Sequence, residues 1–257
     1  YYTTLDGSDY LSDVHIGRLT ATDPTQLLTI VNKIVAYETS PPMLDDPDWF
    51  NRACLVGDPN ESGITTIYVN QWLKAQLEAQ AYTQVDTIFG GNFPTLMHTS
   101  INQGLSVFGY RGFYAMSNYF PGMISLLANG NKLPFAVLPT CDTGSFRTHV
   151  TAHSEAFLRA PGGGAIGAIA LSTSGTHTRY NNCLYNGIWE GMLNTDDHQM
   201  GAALTRGKLE LYNNYHGHEE NSAEIWATWS NLMGDPATDI WLDKPTLMNA
   251  DHPTYLP

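Results

Sequence analysis

Short apolar runs alternate along this chain with longer segments whose hydrophobic residues recur at helical spacing. The runs typical of strands occupy 14–16, 52–56, 85–89, 105–109, 133–138 and 165–171. The helical spacing predicts helices from Asp23 to about Glu38 and over 70–81, 94–102, 123–128, 154–159, 185–193, 200–212 and 224–233. Because strands and helices alternate with short links, the pattern predicts an α/β fold, a doubly wound and mostly parallel sheet flanked by helices.

Three successive strands, at 105–109, 133–138 and 165–171, end in polar turns that contain glycine. The carboxyl ends of parallel strands meet at one edge of a sheet, where ligands and reacting groups are usually placed. The middle strand ends in Pro139-Thr140-Cys141, followed by Asp142-Thr143-Gly144. Cys141 is therefore a candidate nucleophile, and the competing interpretation is an inert buried cysteine.

Composition narrows the classes of partner. The formal net charge is -13, from 25 acidic and 12 basic residues, which disfavours nucleic acid and anionic membranes as partners. No run of 18 apolar residues is present, so no membrane span is predicted. Charged residues make up only 14% of the chain, and the polar, uncharged surface that this implies suits an extracellular protein.

The cysteines and histidines do not predict a metal site. Cys54, Cys141 and Cys183 contain no CxxC pair, which argues against a zinc knuckle and leaves open one disulfide or three free thiols. The segment 57–63 (GDPNESG) is either a plain turn or a calcium site, although its carboxylates lack the spacing of a calcium loop. The segment 216–220 (HGHEE) fits a solvated turn better than a metal cluster. No cofactor is expected, with calcium left open.

Five segments, in order, resemble motifs of the gingipain-like cysteine peptidases, whose fold is related to that of the caspases. Two of them are the strand and cysteine turn, with the pattern C-x-x-G-x-F, and a helix that resembles E-A-x-x-R-A. The five segments are 13–38, 129–146, 155–160, 162–173 and 232–236. The resemblance implies a caspase-like sheet and a cysteine endopeptidase mechanism.

In that mechanism a histidine on the preceding strand takes the thiol proton, and backbone N–H groups stabilise the oxyanion. The family's histidine lies in Y-x-G-H-G, and the matching segment here is Tyr110-Arg111-Gly112-Phe113-Tyr114. Phenylalanine cannot exchange a proton, so Phe113 removes the general base. By the resemblance, Gly112, Phe113 and Thr140 are expected at the oxyanion site or in the cleft.

Another histidine is required if the domain is catalytic. His177 is the best candidate, because it follows the strand after the cysteine strand and should reach the same edge of the sheet. His98, His149 and His153 are weaker candidates. Arg111 offers a different route, since its charge alone favours a thiolate without a base.

Two functions follow. One is an active secreted cysteine endopeptidase that uses Cys141 with a relocated base such as His177. The other is a degenerate peptidase domain that acts as a binding or structural module, in which Tyr110, Phe113, Tyr114 and Tyr119 fill the cleft and bury the cysteine. The aromatic crowding favours the second hypothesis.

The motif order also predicts the organisation of the chain. Residues 1–50 are expected to close an N-terminal α/β subdomain, 51–250 to form the caspase-like subdomain with Cys141, and 251–257 to begin a linker. The predicted partners are a protein or peptide and further domains of the same precursor. The predicted location is extracellular or at the cell surface.

Overall fold

A six-stranded sheet forms the centre of the protein. The computed structural model describes residues 3–7, 9–147 and 150–246. The strands are β1 (Arg52–Gly57), β2 (Gln84–Ile88), β3 (Val107–Arg111), β4 (Phe135–Leu138), β5 (Gly167–Leu171) and β6 (Ser230–Met233). Their order is β2-β1-β3-β4-β5-β6; β1 to β5 pair in parallel, and β6 pairs antiparallel with β5. The predicted fold class, a mostly parallel sheet flanked by helices, is confirmed.

Helices cover both faces of the sheet. They are α1 (Pro24–Thr39), α2 (Thr65–Ala79), α3 (Phe93–Asn102), α4 (Pro121–Ile124), α5 (His153–Arg159), α6 (Thr178–Asn194), α7 (Met200–Tyr215) and α8 (Glu220–Trp229). Successive residues of a strand point to opposite faces, so β4 contributes Phe135 and Val137 to one core and Ala136 and Leu138 to the other. The first core lies under α2, α6 and α7, and the second lies under α3, α4 and α5. Burial on both faces explains why the central strands are apolar throughout.

Two predictions about secondary structure are wrong. The segment 14–16 forms no strand, and the backbone instead reaches the sheet through a bridge between Arg18 and Met233. The segment 224–233, predicted as one helix, divides into α8 and β6. Ser230 to Met233 can join the sheet because they pair with the open edge of β5, a long-range contact that local periodicity does not reveal.

The first helix forms as predicted and buries one face. The Asp23 side chain accepts a hydrogen bond from the backbone N–H of Gln26 and caps α1. Ile30 and Ile34 are buried, whereas Leu28 and Val35 are exposed. Lys33 is buried and donates from Nζ to the carbonyls of Phe157 and Leu158 at the end of α5, at 3.3 and 2.9 Å.

The proposed boundary near residue 50 stays a prediction, and the predicted linker at 251–257 lies outside the described residues. Within the described ranges, no helix is both long enough and apolar enough to cross a bilayer. All three cysteines are free thiols, which settles the disulfide alternative in favour of reduced residues.

Candidate functional site

The turns after β3, β4 and β5 lie together at the carboxyl edge of the sheet. Cys141 follows β4, and a parallel bridge joins it to Tyr114 in the turn after β3. The Ala115 N–H donates to the Cys141 carbonyl at 2.9 Å, and the Asp142 N–H donates to the Thr173 carbonyl at 2.8 Å. The cysteine turn is therefore tied to both neighbouring turns, as the order of the strands requires.

A threonine from the turn after β5 contacts the sulfur. Cys141 is 6% exposed, and its Sγ lies 2.9 Å from Thr176 Oγ1. The Asn181 side-chain amide donates to the same Oγ1 at 2.8 Å, and Trp226 Nε1 donates to Asn181 Oδ1 at 2.7 Å. The Trp226 indole binds the amide oxygen of Asn181, so the amide nitrogen faces Thr176. The hydrogen bonds from Trp226 to Asn181 and from Asn181 to Thr176 therefore hold Thr176 Oγ1 against the sulfur.

His177 makes no hydrogen bond with the sulfur. It caps the N-terminus of α6, and its Nδ1 accepts a hydrogen bond from the Arg179 backbone N–H at 3.3 Å. The ring lies beside Tyr180, with 5.9 Å between ring centroids. The structure thus brings Thr176, rather than the neighbouring His177, to Cys141.

Of the other histidine candidates, His98 binds a tyrosine and His153 lies buried near the cysteine turn. His98 Nδ1 lies 3.0 Å from the Tyr119 hydroxyl. His153 begins α5, and burial lowers its pKa to about 4, against the opposing effects of the Asp142 carboxylate and the Tyr119 backbone. His149 lies outside the described residues. In the ranges that the structure describes, no imidazole nitrogen makes a hydrogen bond with the Cys141 sulfur.

The aromatic side chains near the cysteine divide into two groups. Tyr110 and Tyr119 are buried, as predicted, whereas Phe113 is 50% exposed and Tyr114 is 52% exposed. The Tyr114 hydroxyl donates to Asp142 Oδ2 at 2.8 Å. The expectation that all four rings fill the cleft is therefore wrong for Phe113 and Tyr114.

Gly112 and Thr140 support the turns and have few polar atoms left for a ligand. The Gly112 N–H donates to Thr140 Oγ1 at 3.3 Å, so this candidate oxyanion donor is already engaged. A Cβ on Gly112 would lie 2.4 Å from the Tyr110 hydroxyl, which explains why glycine occupies this position. The Gly112 N–H and the space beside Gly112 are therefore occupied by the protein's own side chains, Thr140 and Tyr110.

Arg111, which the sequence predicts to lie near the cysteine, supports the start of the cysteine turn. It is fully buried, and its Nε donates to Asn182 Oδ1 at 2.9 Å. Its Nη1 donates to the Pro139 carbonyl and, at 2.9 Å, to Thr140 Oγ1. Burial lowers the pKa of Arg111 to about 10, so the guanidinium stays charged at neutral pH. Its place just after a predicted strand, in the segment that matches Y-x-G-H-G, is the sequence signal for this location.

An open cleft of about 820 Å³, lined in part by Phe113, lies beyond the ends of β1, β2 and β3. Its walls combine aromatic rings with carboxylates and backbone. The aromatic and acidic residues of its wall are Asp58, Glu61, Phe93, Phe113, Tyr114 and Phe120. The Asp58 carboxylate accepts from the Ser117 hydroxyl, which lies 2.7 Å from the Tyr110 hydroxyl, so hydrogen bonds orient the Asp58 side chain at this end of the cleft.

The two segments considered for metal binding make internal contacts. Asp58 Oδ1 accepts from the Asn60 N–H at 3.0 Å, and calcium binding at this turn stays a prediction. In the second segment, His216 lies 3.1 Å from Glu220, and Glu219 pairs with Arg179 at 2.6 Å. No group of three or more potential metal ligands is present among the described residues.

A model of peptidase family C25 matches residues 1–241. The chain belongs to this family. Gingipain R2 of Porphyromonas gingivalis (strain ATCC BAA-308 / W83) is 23% identical over 273 residues, covering 99% of this chain and 36% of that protein. Gingipain R1 of Porphyromonas gingivalis is 22% identical, covering 99% of this chain and 27% of that protein. The chain thus spans about a third or less of the length of these curated relatives.

Solved structures share the fold of this chain. The crystal structure of the Arg specific cysteine proteinase gingipain R has a TM-score of 0.83 at 22% identity, over 95% of this chain and 60% of that chain. The Saccharomyces cerevisiae separase in complex with securin has a TM-score of 0.56 at 9% identity, over 81% of this chain and 13% of that chain. The caspase-like fold and the gingipain-like family that the sequence motifs predict are confirmed.

Proposed function

We propose that this C25 domain is non-hydrolytic and serves as a peptide-binding module of a larger secreted or cell-surface protein. The observation that carries the proposal is the partner of the Cys141 sulfur, which is Thr176 and not a histidine. A threonine hydroxyl cannot take up the thiol proton near neutral pH, so it cannot replace the general base of a cysteine peptidase.

The second requirement of peptide hydrolysis is a set of free donors for the oxyanion. The Gly112 N–H is committed to Thr140 Oγ1. Removal of a single oxyanion donor lowers turnover by about 10²–10³-fold in peptidases. Among the described residues no base is positioned at the sulfur, and the Gly112 donor is engaged. Both features act on the same step, and together they favour binding without cleavage.

The cleft beside Phe113 gives the domain a binding surface. It combines exposed aromatic rings, at Phe113 and Phe120, with the carboxylates of Asp58 and Glu61. Aromatic faces and carboxylates both attract ammonium and guanidinium groups. We therefore expect an extended peptide segment that carries Lys or Arg as the ligand, in keeping with the net charge of -13.

The test of hydrolysis is multiple turnover, since a thiol can react with an electrophile without being catalytic. The purified domain is incubated with an unfolded protein and with fluorogenic peptides that end in Arg or Lys. We expect no cleavage above that of Cys141→Ser. Cleavage that requires Cys141 and weakens in His177→Ala would overturn the proposal in favour of the active peptidase with a relocated base.

Binding is tested separately by fluorescence anisotropy with labelled Lys- and Arg-containing peptides. Each of Glu61→Gln and Phe120→Ala should weaken binding by about 3- to 10-fold, the size of one carboxylate or cation–π contact. Glu78→Gln and Leu126→Ala, which alter exposed residues outside the cleft, are the matched controls. Equal affinity for acidic peptides, or equal loss in the controls, contradicts this ligand assignment.

A further inference from the structure

A cavity of about 200 Å³ lies between the segment that precedes α1, α7, the end of α8 and the edge strand β6. It shares no lining residue with the cleft beside Phe113. Among the described residues, no Asp or Glu lines it, although the chain has 25 acidic and only 12 basic residues. Two of the basic residues, Lys208 and Arg18, do line it. The walls of this cavity therefore carry positive charge in a protein that is acidic as a whole.

Lys208 is the cation of this cavity that lacks a counterion. In the described part of the chain its ammonium makes neither a hydrogen bond nor an ion pair. Burial lowers the pKa of Lys208 to about 8, and no carboxylate among these residues opposes this effect. The side chain is therefore protonated at neutral pH. Because a partly buried charge without a partner is costly, the position of Lys208 points to an anion beside it.

Hydroxyl groups of the cavity wall can donate to such an anion. The Tyr10 hydroxyl is buried and has no hydrogen-bond partner among the described residues. Burial, and after it the Glu220 carboxylate, raises the pKa of Tyr10, so the phenol keeps its proton. The hydroxyls of Thr3 and Ser12 lie 3.1 Å apart, so one donates to the other and one hydrogen stays available. An anion would therefore satisfy donors that the protein itself leaves unpaired.

Arg18 adds a second positive charge at this cavity. Its guanidinium carbon lies 4.4 Å from the centroid of the Phe146 ring, and across the described ranges no Asp or Glu pairs with it. Its backbone N–H donates to the Leu232 carbonyl of β6 at 3.0 Å, which fixes the residue beside the cavity. Arg18 is exposed, so water and salt screen its charge more than that of Lys208. We therefore expect Lys208 to provide the main contact with an anion.

The apolar side of the cavity narrows the class of ligand. Leu204, Ala227 and Leu232 are buried and share its wall with Lys208. A ligand that joins one negative charge to a short alkyl group would contact both kinds of wall. A single ammonium balances a monoanion, whereas a phosphate dianion would bring a second negative charge into a partly buried site. The cavity thus favours a carboxylate over a phosphate.

We propose that this cavity binds a small aliphatic carboxylate. The carboxylate group pairs with the Lys208 ammonium, and the alkyl group lies against Leu204 and Leu232. The proposal rests on neither peptide hydrolysis nor peptide binding, because none of these residues lines the cleft beside Phe113.

Butyrate and its neutral analogue butyramide test the role of charge in the unaltered chain. Each is titrated into the folded protein while NMR follows the backbone amide signals. With butyrate we expect saturable shifts at Leu204, Lys208 and Leu232. Butyramide and inorganic phosphate should bind about 10-fold or more weakly than butyrate. Equal affinity for butyramide, or no saturable shift at the cavity, overturns the proposal, and tighter binding of phosphate overturns the assignment of the ligand as a carboxylate.

Variants of Lys208 test the ion pair. Lys208→Met keeps an apolar stem and should weaken butyrate binding by about 10-fold or more, whereas Lys208→Arg, which keeps the charge, should stay within about 3-fold. Arg18→Met should have a smaller effect, about 2-fold. Lys74→Met removes a surface lysine of α2 outside the cavity and is the matched control, with no expected change. Unchanged affinity in folded Lys208→Met overturns the proposal, and if that variant does not fold, the comparison of butyrate with butyramide decides.

Discussion

The turns after β3 and β4 lie side by side, and only the second retains the reactive group that the family resemblance predicts. The turn after β3 carries a half-exposed Phe113 where a proton acceptor is expected. The turn after β4 carries Cys141, with a hydroxyl against its sulfur. The two turns nevertheless remain joined through the Ala115 N–H and the Cys141 carbonyl. The two turns thus stay paired although Phe113 stands at the position of the expected imidazole.

Each turn is held by hydrogen bonds that do not involve the reacting atoms. After β4, Thr143 Oγ1 donates to the carbonyls of Leu138 and Thr140 at 2.6 and 2.8 Å. After β3, the Ser117 hydroxyl connects Tyr110 to Asp58. Support and chemistry are therefore separable in this fold. A domain can lose its general base and still present an ordered edge to a ligand, which is the physical basis of the binding function proposed above.

The largest predicted effect concerns the glycine that closes the turn after β3. In Gly112→Ala the new Cβ would lie 2.4 Å from the buried Tyr110 hydroxyl. Overpacking of this kind costs about 1–3 kcal/mol of unfolding free energy, and we expect the upper end because Tyr110 is held by Ser117. Urea unfolding measures the loss. Gly90→Ala, where a Cβ would meet no atom within 4 Å, is the control. Equal stability of the two variants would show that the Tyr110 side chain moves away at little cost.

The second prediction concerns how the free energy of unfolding depends on pH, because the buried His153 lies near the turn after β4. The pKa of His153 is about 4 in the folded protein, against about 6.5 in an unfolded chain. Between these values the unfolded state binds the extra proton, so stability falls as the pH falls through this window. From pH 7 to pH 5 the loss should be about 2 kcal/mol.

Urea unfolding at several pH values measures this dependence. His153→Leu should flatten it, whereas His216→Asn, in an exposed loop, should not. A slope that survives in His153→Leu would assign the pH dependence to another group.

The third prediction concerns the hydroxyl that holds the sulfur. Thr176→Val keeps the shape of the side chain but removes its contact with Cys141 and the acceptor of Asn181. Leaving a buried amide donor unpaired costs about 1–3 kcal/mol. Thr176→Ser, which keeps the hydroxyl, should retain most of the stability in thermal or urea unfolding. An equal loss in both variants would point to packing of the methyl group instead.

The strands and turns at the carboxyl edge of the sheet could be predicted from the sequence. The hydrogen bonds made by the side chains at this edge could not. The apolar runs before Tyr110 and Cys141 and the parallel order of the strands place the two turns together. The helical spacing in α1 is correct, but it does not show that Leu28 faces solvent, since that depends on which helix packs against it. Likewise, β6 forms only because β5 offers an open edge.

Dependence on long-range contacts also explains why the roles of Thr176, His177 and Arg111 could not be assigned from the sequence. Thr176 and His177 are adjacent in sequence, and periodicity cannot tell which of them turns toward the sulfur once α6 begins at Thr178. Arg111 could be placed near the cysteine from its strand, but its burial and its unused donor depend on Asn182 and Pro139, which lie far along the chain. Long-range polar pairing is set by the assembled fold.

The smallest expected effect comes from restoring the residue that the family pattern places at position 113. Phe113→His alters a half-exposed side chain, so the free energy of unfolding should change by no more than about 0.5 kcal/mol. We also expect no turnover of Arg- or Lys-containing peptides, because the Gly112 N–H still binds Thr140 and Thr176 still holds the sulfur. Phe113→Asn controls for polarity, and Phe113→His with Cys141→Ser controls for contaminating peptidase. Turnover that requires both the introduced imidazole and Cys141 would show that residue 113 alone prevents hydrolysis. It would also show that the hydrogen bonds of the two turns permit catalysis.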